Sequence, residues 1–202
     1  MGLFRGKIDA DTAEAAFKEL YESMLSEREA QYHKQMLGDL KAKYPILEKV
    51  ENGLFNRQLT GANLALFDFA WNKYQISKRI DIVSEFMNFG RRKSALWDQV
   101  PGLKPYHEVK QVYTDSIMRT PPGDAFTEVA KDFFKKLIPN YKQQSIDDIR
   151  EVVNLFRLEF EKVYLTYIEN FKLLKLIRWF INLDTWKANF SVYNLSYEYK
   201  RD

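Results

Sequence analysis

The stretch Leu137-Ile138-Pro139-Asn140-Tyr141-Lys142-Gln143-Gln144-Ser145-Ile146-Asp147-Asp148-Ile149 stops one helix and starts another. Pro139 cannot continue a helix, and the residue before a proline is pushed towards extended backbone. Ser145 offers a side-chain oxygen to the orphan amides of a new helix, and Asp148 stands three residues on, in the manner of a capping box. Removal of such a cap costs about 1 kcal/mol. Asp147, Asp148 and Glu151 face the positive end of the helix dipole. A chain punctuated in this way reads as all-α.

Downstream of Ser145 the apolar residues keep helical spacing: Ile149, Val153, Phe156, Phe160, Tyr164, Tyr167, Phe171, Leu174, Ile177 and Ile181. The expected helix reaches Leu183, ~38 residues or ~57 Å at 1.5 Å per residue. A globule of this chain length is only roughly 33 Å across. The aromatic seam Phe156, Phe160, Tyr164, Tyr167 and Phe171 is therefore expected to pack partly on another subunit; the plain alternative is that it is core. Lys172, Lys175 and Arg178 leave a lipid-surface contact open. From Phe190 the period changes to two, with Tyr193, Leu195, Tyr197 and Tyr199 alternating with polar residues, so an extended C-terminal tail is expected.

Upstream, Asp124 is placed to cap a helix carrying Phe126, Val129, Phe133, Phe134 and Leu137, behind a break at Pro121-Pro122-Gly123. A shorter helix is expected over Tyr106–Met118, after a loop marked by Pro101, Gly102 and Pro105. The segment 45–63, with Pro45, Gly53 and Gly61, reads as a connection. A helical region then starts near Asp68 and carries Phe69, Trp71 and Tyr74. Ser77 can cap its continuation through Ile80, Val83, Phe86 and Met87 to Gly90. Near the start, Asp11-Thr12-Ala13-Glu14 forms another capping box, and the stripe Ala13, Phe17, Leu20, Tyr21, Met24, Met36 and Leu40 predicts one helix to Lys43, before Pro45. The organisation expected is elongated: long helices and helical hairpins over 1–144, then a long partner-binding helix and tail over 145–202.

Composition excludes several classes. With 202 residues, 46% apolar and 29% charged, the chain can bury a core and remain soluble. It has no cysteine, which removes disulfides, thiolate chemistry and Cys-based zinc sites. The balance of 31 basic against 28 acidic residues offers no concentrated positive charge for nucleic acid. No apolar run is long enough for a transmembrane span, and the start lacks a signal-peptide pattern. Arg91-Arg92-Lys93 is read as a solvated helix end, or as a contact for an acidic partner or phospholipid. No phosphate loop, GxSxG or HExxH is present. His33 and His107 stand far apart, and Asp147-Asp148 point about 100° apart on a helix. A non-catalytic chain without metal or cofactor is expected.

Phe67-Asp68-Phe69-Ala70-Trp71-Asn72-Lys73 resembles the Ile-Asp-aromatic-Ala-aromatic-x-Lys segment of subunit d of the mitochondrial ATP synthase peripheral stalk. Val83-Ser84-Glu85-Phe86 and Val100-Pro101 follow in the family's order. Ile138 to Ile149 is similar to that family's Ile/Arg-Pro-Phe-Asp-Gln-Met/Leu-Thr-acid-acid-Leu segment, with the proline, Gln143, the hydroxyl and the acid recurring. Weaker similarity at Ile8-Asp9, Phe17 and Leu40–Pro45 extends the resemblance over about residues 8–153. Lys142 replaces a family acid, Pro121-Pro122-Gly123 interrupts what is one long charged helix in the family, and some fifty residues replace the family's short Pro- and aromatic-rich end.

The resemblance implies a divergent stator subunit on the matrix side of the mitochondrial inner membrane. Such a subunit helps to hold the catalytic head against rotor torque during proton-driven ATP synthesis, and binds no nucleotide itself. Implied partners are the b-type helix, the coupling-factor-six-like and oligomycin-sensitivity-conferring subunits, and species-specific accessory subunits. Expected partner-binding residues are Phe69, Trp71, Tyr74, Phe156, Phe160, Tyr164, Tyr167, Phe171, Tyr193 and Tyr197, with Asp11, Ser145 and Asp148 as structural caps. A helical accessory subunit of another large mitochondrial membrane-associated complex is the alternative.

Overall fold

Ser26 sets the first well-defined helix start. Its backbone is extended, and its hydroxyl accepts a hydrogen bond from the Glu29 amide at 3.2 Å. Helix α1 (Glu27–Lys43) follows, with Glu27 and Glu29 in its first turn and Lys41 and Lys43 in its last, both matched to the dipole. The single helix expected up to Lys43 is thus divided: residues 20–24 are helical, and the chain turns at 25–26 before α1 begins. The dividing signal is Ser26-Glu27-Arg28-Glu29, a serine with Glu three residues on, which competes locally with a continuous helix. The structure is a computed structural model that describes residues 18, 20–77, 97–121 and 123–177, with side chains described to 73 in the second helix and to 170 in the last. Asp11, the Ser77–Gly90 continuation, Arg91-Arg92-Lys93 and the tail with Tyr193 and Tyr197 lie outside the described residues.

Helix α1 ends at Tyr44, and Pro45 opens a 3-10 turn over Pro45–Leu47. Helix α2 then runs Asn52–Ser77, 26 residues. The expected connection over 45–63 is therefore helical from Asn52, and the helix expected from Asp68 starts sixteen residues earlier. Gly61, read as a breaker, instead permits close approach: a Cβ there would stand 2.5 Å from Val109 Cγ1. After a 3-10 segment at Pro101–Tyr106 come α3 (His107–Arg119) and α4 (Ala125–Leu137). Asp124 occupies the position before α4, but its side chain makes no capping bond. Pro139 and a 3-10 turn at Tyr141–Gln143 lead to α5 (Ile146–Ile177), 32 residues or ~48 Å. The Ser145 carbonyl accepts the first helical bond, from Ile149 N–H at 3.1 Å. Among the described residues its hydroxyl does not bond the Asp148 amide, so the expected box is not closed; both residues face solvent.

Every regular element among the described residues is helical, and no strand occurs among them. Their packing is organised by α2, which is buried almost continuously from Gln58 to Phe67. Ring contacts give the directions. Phe55 meets Phe156 at 6.4 Å and Phe67 meets Tyr167 at 5.4 Å, so α2 and α5 run parallel. Phe133 meets Phe156 at 4.7 Å and Phe126 meets Tyr164 at 5.1 Å, so α4 and α5 form an antiparallel hairpin. On the other side Tyr21 meets Phe67 at 5.7 Å, while His33 Nδ1 lies 2.6 Å from Asn56 Oδ1, so the chain of α1 runs against α2. Many of these pairs meet edge to face, a geometry worth about 0.5–1.5 kcal/mol beyond area burial. One contiguous core includes Leu20, Phe55, Tyr113, Phe133 and Tyr167. It includes residues from both sides of position 144, among them Val152, Phe156 and Phe160 of α5.

Candidate functional site

The residues expected to bind partners divide into two groups. Trp71, Phe156, Phe160 and Tyr167 are buried in the chain's own core, with no face left for a partner. The expectation of a partner contact is thereby corrected for Trp71 and for the seam residues Phe156, Phe160 and Tyr167. The spacing identified the apolar side of α5, and α2 and α4 of the same chain cover it. The side chains of Tyr74 and Phe171 lie outside the described ones. Phe69 and Tyr164 remain partly exposed, where the seam reaches the surface.

Around that opening a small aromatic cluster forms. Phe69 stands 5.2 Å from the Tyr164 ring and 6.5 Å from Phe126, and Phe126 stands 5.1 Å from Tyr164. Lys73 Nζ lies 5.6 Å over Phe69. Three elements meet here: α2 supplies Phe69 and Lys73 one turn apart, α4 supplies Phe126 from its first turn, and α5 supplies Tyr164. Burial raises the Tyr164 phenol above its ordinary range, which keeps it a neutral hydrogen-bonding group. Half-buried rings under a cation suit an amphipathic contact, apolar at the centre and polar at its edge. Phe126 was not among the expected residues, because it continues the core stripe Val129, Phe133 and Leu137; its place in the first turn is what brings it to the rim.

A second arrangement was not anticipated as a unit. Asp68, in the middle of an apolar helix, forms an ion pair with Lys110 of α3. Their side chains are 15% and 19% exposed respectively. Lys110 Nζ also lies 4.7 Å over the Trp97 ring, which meets Tyr21 at 5.9 Å and His107 at 6.0 Å. Burial first, and the Asp68 charge second, push the Tyr21 phenol up. The pair is mostly shielded from solvent, so Lys110→Met is expected to loosen the contact of α3 with α2. The sequence signal was the lone aspartate between Phe67 and Phe69. The pair fastens α3 across α2, near the close crossing of Gly61 on Val109.

Elsewhere the polar groups tie helices together. Tyr113 Oη donates to Gln58 Oε1 at 2.6 Å, and Ser116 Oγ donates to Asp132 Oδ2 at 2.7 Å. His33, buried in the α1–α2 contact, has Nε2 3.5 Å from Glu29 Oε1. Among the described residues no three His, Cys, Asp or Glu side chains converge as a metal site, and no helix is long and apolar enough to cross a membrane. Comparisons with protein-family models, curated proteins and solved structures give no match.

Proposed function

We propose that this chain is a non-catalytic structural subunit of the mitochondrial ATP synthase peripheral stalk, on the matrix side of the inner membrane. The observation that carries the reading is the pair of family-like segments at 67–73 and 138–149, in the family's order. The first lies on α2, the helix around which the rest packs. The second is the turn that reverses the chain from α4 into α5. The architecture is mechanically suited to the role. Two helices of ~39 Å and ~48 Å run parallel, linked by ring contacts, and the Asp68–Lys110 pair fastens α3 to the first of them. The exposed part of the aromatic cluster at Phe69, Phe126 and Tyr164 would receive a neighbouring stalk helix, of the b type or from the coupling-factor-six-like or oligomycin-sensitivity-conferring subunits. Species-specific accessory subunits are further proposed partners.

A second reading is favoured by one structural departure. The segment beyond 145, which replaces the family's short end, supplies α5 and part of the central core. A chain that needs this helix to fold fits a helical accessory subunit of another large mitochondrial membrane-associated complex.

The test is purification through a tagged chain from mitochondria, on a native gel followed by mass spectrometry. Comigration with ATP synthase in stoichiometric amount is expected. Comigration with a different complex overturns the stalk reading in favour of the second, and a location outside mitochondria overturns both.

A further inference from the structure

The outward face of α5 carries two leucines that the other described residues leave open, Leu158 at 49% and Leu165 at 53% exposed. They stand seven residues apart, ~10.5 Å along the axis, and so share one side of the helix. Glu161 and Lys162 lie between them, and Asn154 and Glu169 lie one turn beyond on either side. Arg157 fixes part of the rim, donating from Nε to Asn154 Oδ1 and from Nη1 to Glu161 Oε2, both at 3.1 Å. Asn154 is thereby left with its amide N–H groups to offer outward, and Glu161 with its other oxygen.

We infer that this face docks a second copy of the chain, with the two α5 helices antiparallel about a two-fold axis passing between Glu161 and Lys162. That axis exchanges position 158 with 165, 161 with 162, and 154 with 169. Each exposed leucine meets a leucine, and each Glu161 meets a lysine. Every contact occurs twice, as an isologous interface requires. The charges select the direction. A parallel pairing of the same leucines sets Glu161 on Glu161 and Lys162 on Lys162, and like charges in register are destabilising. A foreign helix has no such reciprocal match built in. Two leucine pairs and a charged rim make a small contact, so the dimer is weak and concentration-dependent. This inference does not rest on the stalk reading.

The experiment uses the full chain. Sedimentation velocity from low to high micromolar concentration is expected to show the mass rising from monomer to dimer. Leu165→Lys, at an exposed position, holds the chain monomeric with unchanged thermal melting. Glu161→Lys and Lys162→Glu each weaken association several-fold, and the double exchange restores it. The chain has no cysteine, so introduced ones report cleanly. Positions 158 and 165 are too far apart along the helix for an internal disulfide, whose Cα atoms must lie within about 7 Å. Leu158→Cys with Leu165→Cys therefore oxidises to a covalent dimer, whereas Leu158→Cys alone does not. A monomer at all concentrations overturns the inference, and so does association indifferent to the charge reversals. Equally fast cross-linking by Leu158→Cys alone overturns the antiparallel register.

Discussion

Gly38 and Gly61 both sit inside helices, and a methyl group has opposite consequences at the two. Nothing lies within 4 Å of a Cβ built on Gly38, which is exposed on α1. Gly38→Ala is expected to stabilise by about 0.5–1 kcal/mol, through lower backbone entropy of the unfolded chain. At Gly61 the new Cβ would strike Val109, a stiff β-branched side chain, at 2.5 Å. Gly61→Ala is expected to destabilise by about 1–3 kcal/mol as α2 and α3 are forced apart. Denaturant unfolding of the two variants checks both signs. Asp132 gives a pH prediction. Burial alone would raise its carboxyl, but the Ser116 hydroxyl and the Lys135 and Lys136 ammonium groups outweigh burial and hold it below the ordinary range. Its folded value lies below its unfolded one, so its contribution is present above about pH 4 and is lost as pH falls through the folded value. Asp132→Asn should lower stability at neutral pH and flatten the acid limb of the stability profile; an acid limb identical to that of the parent chain would show that the carboxylate contributes nothing.

At the scale of elements, the two serine starts separate position from bonding. Ser26 Oγ accepts from the Glu29 amide, so Ser26→Ala should cost about 1 kcal/mol. The Ser145 hydroxyl lacks the corresponding bond to Asp148, so Ser145→Ala should cost clearly less; thermal melting of the two variants side by side decides. Helix ends at Lys43, Arg119 and Leu137, and the restart at Ile146, were legible because Pro45, Pro121 and Pro139 forbid continuation locally. The start of α2 was not legible. Its glycines carry the same letters as a loop, and only the neighbouring helix shows that Gly61 serves close packing. The seam on α5 was legible as apolar but not as interior, since periodicity reports which side is greasy and not whose surface covers it. Phe160 now has an address, 5.3 Å from Phe133. Phe160→Ala should therefore lose about 3–5 kcal/mol of the isolated chain's own stability, read from its denaturation midpoint. Normal stability with defective assembly would return the residue to an interface.

For the whole molecule, the all-helical class was readable from helical spacing and its breaks, whereas which helices share a core was not. Core sharing is a long-range property: Phe55 and Phe156 touch, although a hundred residues of chain separate them. Parallel neighbours cannot be joined by a tight turn, so α2 waits for α5 until nearly the whole described chain has been made. On a ribosome this interval would last several seconds or more at about 5–20 residues per second. During it the rings of α2 that later meet α5 are exposed, a window for capture by a chaperone or by another nascent chain. A chain ended after Gln144 reproduces that moment permanently. It should bind a hydrophobic dye, melt without cooperativity, and regain a sharp transition when a peptide spanning 145–177 is supplied in trans.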